Sequence, residues 1–170
     1  MPKHLNKDKL VERISPEKDV DGMRKDSIFK CCTPSGIIDY LEWRNVDIEG
    51  SNAVVIGRSD IVGKPMAQYL LEKNATVTVC HSKSKNIDYY LRNADIIVCA
   101  VGKEKFLDCS GLKGIVIDVG INFNAEGKLV GDCWNTEGVD VTPVPGGVGL
   151  LTRCALLKNL FLAKIYKEIE

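Results

Sequence analysis

Gly57, Arg58, Ser59, Gly63 and Pro65 crowd into one short polar stretch directly after the apolar run Val54-Val55-Ile56. Residues of these types at this spacing bind phosphate. Glycine lets the backbone turn sharply at the carboxyl end of a strand, and a glycine–proline start gives the following helix an amino-terminal end that attracts anions. Arg58 adds a guanidinium and Ser59 a hydroxyl. The common dinucleotide fingerprint G-x-G-x-x-G would require glycine at Ser59 and at Val62. Taken alone, the loop therefore reads either as a Rossmann-like nucleotide loop or as an ordinary strand-to-helix turn.

The next apolar run sharpens the choice. Thr76 to Cys80 reads as a second strand, and it ends in His81-Ser82-Lys83 with no carboxylate. An acidic residue there would hold the ribose 2′-hydroxyl of NAD, whereas the 2′-phosphate of NADP calls for hydrogen-bond donors and positive charge. Arg58, Ser82 and Lys83 supply both, so the expected cofactor is NADP. The competing reading is a solvated basic loop.

The elements that must position these residues follow from hydrophobic patterning. Asn52–Ile56, Asp95–Ala100 and Gly114–Gly120 are short apolar runs without polar alternation, the habit of parallel strands buried on both faces. The latter two stop at Gly102 and Gly120, where a ligand lying beyond the strand ends could approach the backbone. A shorter strand is expected at Val139–Thr142, running into Pro143-Val144-Pro145-Gly146-Gly147-Val148-Gly149. That segment is too rich in proline and glycine for sheet or helix, and as a rigid loop it would wall a pocket. Helices are expected at Lys7–Ile14 with Asn6 as cap and Pro16 as stop, at Ser35–Arg44, at Met66–Lys73 and at Leu151–Ile169. The fold class is α/β: a Rossmann-like, doubly wound, mainly parallel sheet with flanking helices.

Composition narrows the function further. The chain has 170 residues, 45% of them hydrophobic, and its 23 basic side chains balance 23 acidic ones. This content is ample for a domain core, and no overall field draws the chain to nucleic acid or anionic lipid. No apolar run approaches the length of a membrane span, and the first residues lack the apolar stretch of a signal peptide. The seven cysteines form no C-x-x-C pair and no zinc spacing with histidine, so no metal is expected and free thiols in a reducing cytoplasm are. Cys31 and Cys32 read as two free thiols, and Cys80 and Cys99 as small hydrophobes. Trp43 and Trp134 read as packing residues. His4 lies in the polar start, and His81 helps shape an adenosine pocket.

Tyr69 and Lys73 have the Y-x-x-x-K spacing used by some dehydrogenases, but they lie on the helix that leaves the phosphate loop. They read as a surface tyrosine and a solvated lysine. On the last helix, Leu150, Cys154, Leu157, Phe161, Ile165 and Ile169 form one stripe that Leu156, Leu160 and Ala163 widen. Either the sheet and first helix bury all of it, or part stays exposed for a partner.

The runs VVIGRSDIVGKP (Val54–Pro65), NATVTVCHSK (Asn74–Lys83), IDVGIN (Ile117–Asn122) and TPVPGGVG (Thr142–Gly149), with EKDVDG (Glu17–Gly22) and Cys32-Thr33-Pro34, resemble the bifunctional methylenetetrahydrofolate dehydrogenase/cyclohydrolases. The resemblance implies NADP-dependent oxidation of 5,10-methylenetetrahydrofolate and hydrolysis of the methenyl product to 10-formyltetrahydrofolate, by a cytoplasmic homodimer serving one-carbon metabolism and purine biosynthesis. It places cofactor contacts on Gly57, Arg58, Ser59 and Ser82, with Ile121 near the nicotinamide. Gly63, Pro65 and Gly102 complete the expected cofactor side. Asp21 corresponds to the family's substrate-binding aspartate, and Gly146, Gly147 and Val148 would line the folate side.

The departures all touch that folate side. The family's tyrosine and catalytic lysine have no counterpart here, the stretch between Gly22 and Cys31 is shortened, and Leu150 stands where proline usually follows the PGGVG run. The expected layout is a remnant of the folate-side domain at 1–34, an NADP-binding domain at 35–150 and a helix at 151–170 returning toward the missing part. The alternative to a folate enzyme is an NADP-binding module without turnover.

Overall fold

The computed structural model describes residues 6–169, so His4 lies outside the described residues. In chain order the main elements are α1 (Lys7–Val11), a 3-10 turn at Pro16–Lys18, α2 (Cys32–Trp43), β1 (Asn52–Ile56), α3 (Gly63–Glu72), β2 (Thr76–Cys80) and α4 (Ile87–Leu91). There follow β3 (Ile96–Cys99), β4 (Leu107–Asp108), β5 (Ile115–Asp118), β6 (Asn122–Phe123), β7 (Leu129–Val130), β8 (Cys133–Trp134) and α5 (Val148–Ile169). Four strands form a parallel sheet in the order β2-β1-β3-β5.

Alternation of side chains along these strands builds a core on each face. Ala53, Val55, Ile96, Val98, Ile115 and Ile117 pack against Ile37 and Leu41 of α2, Met66 and Leu70 of α3, and Val148 of α5. Val54, Ile56, Ile97, Cys99 and Val116 face the other way, toward Leu91 of α4 and toward Leu107 and Cys109. Two covered faces explain why the strands carry no polar alternation. The doubly wound α/β class expected from the sequence is the class observed.

The small strands sit beyond the sheet ends. β4 pairs in parallel with β8, and β6 with β7 in antiparallel. The strand expected at Val139–Thr142 is reduced to a single bridge between Val141 and Val116. Pro143 ends the pairing because it has no N–H, and the Thr142 hydroxyl turns inward to accept from the Asp118 amide at 2.9 Å.

The ends of the helices differ from expectation in instructive ways. Asn6 caps α1 as foreseen, its Oδ1 accepting from the Lys9 amide at 3.1 Å, but the helix stops at Val11. α2 and α3 each start about a turn earlier than the apolar pattern indicated. α5 starts at Val148, inside the proline–glycine run. Its inward face is Val148, Leu151, Ala155 and Asn159, and at Gly36 the backbone of α2 comes so close that an added Cβ would lie 2.6 Å from the Leu151 carbonyl oxygen.

The apolar stripe read from the sequence is therefore the outer face of α5. Leu150, Leu157, Leu160 and Phe161 are exposed, Leu157 at 65% and Phe161 at 66%, while the side chain of Ile169 lies outside the described residues. The tryptophans also correct the expectation: Trp43 is 75% exposed, stacked on Tyr40, and Trp134 is exposed as well. Both end their elements at the surface, where the core has no room to receive them.

Candidate functional site: a nucleotide cradle and an adjoining cavity

The glycine loop joins β1 to α3 at the carboxyl edge of the sheet. Gly57 has φ +125°, and a Cβ there would come within 2.4 Å of the Ala100 carbonyl oxygen. Only glycine allows this turn, because the chain crosses the end of β3 at backbone contact. Gly63 is equally confined: its Cβ would meet the Gly57 carbonyl oxygen at 2.4 Å. The two glycines thus close the loop on itself and bring the start of α3 against the end of β1.

The amino-terminal amides of α3 are not all free for an anion, as the sequence had led us to expect. Ser59 Oγ accepts from the amides of Val62 at 3.2 Å and Gly63 at 3.3 Å, and the Ser59 carbonyl accepts from Lys64 at 3.0 Å. Pro65 has no N–H. What the loop offers outward is the amides of Arg58 and Ser59, which make no hydrogen bond among the described residues, and the Ser59 O–H, left to donate while its oxygen accepts. This is still an anion cradle, shifted from the helix end to the loop crest.

Positive charge and hydroxyls stand beside it. Register pairs Ile56 with Cys80, so Arg58 and Ser82 each lie two residues beyond the ends of adjacent strands. The turn after β2 is fixed by the Ser84 amide donating to the His81 carbonyl and by the His81 amide donating to Ser84 Oγ at 2.9 Å. His81 Nδ1 accepts from the Lys83 amide at 3.2 Å, which makes it a turn residue. Lys64 is tied to Asp60 at 2.6 Å, whereas the exposed Arg58 has no ion-pair partner among the described residues. An exposed guanidinium and an exposed serine, with no carboxylate in the turn after β2, suit a phosphate dianion.

On the other side of the strand ends lies a cavity of about 370 Å³. Val119, Gly120, Ile121 and Leu129 line one wall, the run from Pro143 to Leu150 another, and Thr33, Thr152 and Arg153 the rim. Gly146, Gly147, Val148 and Ile121 line the same cavity. Gly146 takes φ +100° and the Val144–Pro145 peptide is cis. The Thr33 and Thr152 hydroxyls are 2.9 Å apart, which joins α2 to α5 at the cavity mouth. Asp118 at the end of β5 reaches the floor of the cavity although it is almost fully buried.

Asp118, Asp132 and Arg153 were not foreseen. Asp132 is wholly buried, and its carboxylate accepts from three successive amides after β3: Val101 at 2.7 Å, Gly102 at 2.8 Å and Lys103 at 2.8 Å. Gly102 (φ +71°) is consequently held in place from behind, with open space where its Cβ would be. The sequence signal was the pair Gly131-Asp132 after a run of loop residues, which carries no periodicity.

Asp21 does not belong to the cavity lining. It sits in the turn before α2, where its carbonyl accepts from the Cys32 amide at 3.3 Å. The neighbouring thiols are inert: burial, then the Asp21 carboxylate, pushes Cys32 up to about 12, and burial raises Cys31 as well. Tyr69 is half-buried, not the surface tyrosine expected, because its hydroxyl accepts from the Cys31 amide at 3.0 Å. Burial pushes its pKa up to about 12. Lys73 is paired with Glu42 on the flank, away from the cavity. No group of His, Cys, Asp or Glu suited to a metal occurs among the described residues, and no described helix is long and apolar enough to cross a membrane.

Known proteins share this arrangement. The chain is 48% identical over 94% of its length to the bifunctional protein FolD of Agathobacter rectalis, and 47% identical over 99% to that of Thermodesulfovibrio yellowstonii. It covers 62% and 65% of those proteins, so it spans less than two thirds of each. The crystal structure of the bifunctional FolD methylenetetrahydrofolate dehydrogenase/cyclohydrolase from Campylobacter jejuni matches 98% of the chain and is itself covered to 65%, with a TM-score of 0.92 at 41% identity. The Trypanosoma brucei enzyme, solved with NADP cofactor and an inhibitor, matches 99% and is covered to 65%, with a TM-score of 0.87 at 34% identity. Residues 31–168 match the family model for the NAD(P)-binding domain of tetrahydrofolate dehydrogenase/cyclohydrolase, and the chain belongs to that family.

Proposed function

We propose that this chain provides the NADP side of a methylenetetrahydrofolate dehydrogenase/methenyltetrahydrofolate cyclohydrolase. The observation that carries this reading is that the Gly57–Pro65 loop, Gly102 and the cavity lined by Gly146 and Gly147 all lie at the carboxyl ends of the parallel strands β1, β3 and β5. NADP, when bound, accepts hydride. Arg58 and Ser82 take the 2′-phosphate, the amides of Arg58 and Ser59 with the Ser59 hydroxyl take the diphosphate, and Gly102 and Ile121 flank the nicotinamide end. Gly63 and Pro65 shape the loop. Gly146, Gly147 and Val148 shelter the pterin edge of the folate, and Asp21 joins the folate side through the 1–34 segment. Arg153 stands at the rim, where the carboxylates of the folate tail would leave the cavity.

The full activity is 5,10-methylenetetrahydrofolate oxidation followed by hydrolysis to 10-formyltetrahydrofolate, in a cytoplasmic homodimer supplying one-carbon units to purine biosynthesis. A second reading, an NADP-binding module without turnover, is favoured by one observation. Among the described residues, the cavity lining holds no lysine, histidine or tyrosine able to exchange a proton with the substrate. Calorimetry with NADP, followed by NADPH absorbance with methylenetetrahydrofolate, separates the two. Binding with turnover supports the enzyme, binding without turnover the module, and absence of NADP binding defeats both.

A further inference from the structure

The buried carboxylates behind the cavity have no cationic partner. Asp118 Oδ1 accepts from the amides of Gly120 at 2.9 Å and Asp132 at 3.0 Å, and Oδ2 from the amide of Cys133 at 2.9 Å. Asp132 Oδ2 accepts from Val101 and Gly102, and Oδ1 from Lys103 and from Asn122 Nδ2 at 2.9 Å. Every one of these donors is a neutral amide. No ion pair among the described residues includes either aspartate. Amide dipoles solvate the charges locally but do not cancel them, so a negative field extends into whatever apolar space adjoins.

That space is the cavity. Asp118 is among its lining residues, and Asp132 Oδ1 lies directly against Gly120, another of them. The main chain packs tightly on the carboxylates: a Cβ on Gly131 would lie 1.9 Å from Asp118 Oδ2, and one on Gly120 would lie 2.2 Å from Asp132 Oδ1. Two glycines thus let the main chain close over the carboxylates on the protein side.

We infer that Asp118 and Asp132 bias the cavity toward the oxidised, cationic nicotinamide ring and against the reduced, neutral one. This rests on the nucleotide reading above. The ring gains attraction from the field only while it carries its positive charge, so the pair strengthens binding of the oxidised form and speeds release of the reduced form. Both aspartates are positioning residues in this scheme, acting through the field and through the backbone they hold.

The test is the ratio of two dissociation constants, measured by calorimetry on the full chain at fixed ionic strength, for NADP and for NADPH. Asp118→Asn keeps the side-chain shape and an oxygen for the Gly120 and Asp132 amides while removing the charge, and it gives up the bond from the Cys133 amide. It should weaken the oxidised form relative to the reduced by roughly three- to tenfold. Asp132→Asn should shift the ratio in the same direction and by less, and serves if the first variant does not fold, as thermal melting will show. Equal weakening of both forms, or an unchanged ratio, would overturn the inference and leave the aspartates as scaffolding alone. If the unmodified chain binds neither form, the nucleotide reading falls first and takes the inference with it.

Discussion

The main-chain amide of Asp132 donates to the side chain of Asp118 at 3.0 Å, so one buried carboxylate positions the other. Through this contact the end of β5 holds the segment entering β8, and that segment in turn holds the loop after β3. The carboxyl ends of β3 and β5 are thus tied together by a chain of acceptors, each fixed by the one before it.

Removing the second link should be costly. Asp132→Ala takes the acceptor away from the amides of Val101, Gly102 and Lys103, and loss of even some of these charge-assisted bonds costs about 3 kcal/mol or more. Urea denaturation should show this as a lowered midpoint with an unchanged slope.

The charge on Arg58 should discriminate between cofactors. Arg58→Ala should weaken NADP roughly tenfold or more while changing NAD by about twofold at most, because the guanidinium has only the 2′-phosphate to meet. Calorimetric titration of the variant with each dinucleotide checks it, and an equal loss for both would refute the assignment.

Gly57 admits no side chain. Gly57→Ala would press a methyl group onto the Ala100 carbonyl oxygen in a backbone conformation that alanine resists, and we expect a loss of about 2 kcal/mol or more together with loss of nucleotide binding. A variant that melts normally and binds NADP would contradict the close crossing of β1 and β3.

Alkaline pH should weaken the fold through buried acids kept neutral. Burial raises Cys32 from 9.0 to about 12 and Tyr69 from 10.0 to about 12. Their contribution is complete below pH 9.0, where folded and unfolded chains hold the same protons. As pH rises beyond that, the unfolded chain releases protons that the folded chain retains, and stability falls until the folded values near 12 are passed. Urea midpoints across this range should decline, and the decline should be shallower in Cys32→Ala.

The two sides of the helical layer should respond differently to truncation. Leu41 is fully buried between α2 and the sheet, so Leu41→Ala should cost roughly 2–5 kcal/mol. Leu157 is 65% exposed on the outer face of α5, and Leu157→Ala should change stability by less than about 0.5 kcal/mol. Thermal melts of the two variants give the comparison directly.

Local pattern was enough for the sheet and the phosphate loop. β1 and β2 match the predicted runs residue for residue; β1, β3 and β5 are covered on both faces and so carry few polar side chains, and Gly57 marks a turn tight enough to demand glycine. Pattern was not enough for α5, whose sequence carries an apolar stripe on the side that the fold turns outward. A helix has more than one face that can pack, and the close approach at Gly36 decided which one does. Nor could periodicity announce Asp118 and Asp132, since a carboxylate at a strand end or in a loop looks solvated until the main-chain amides of Val101 to Lys103, Gly120, Asp132 and Cys133 converge on the pair. Those amides converge only once the sheet has assembled, and that convergence was settled by tertiary structure alone.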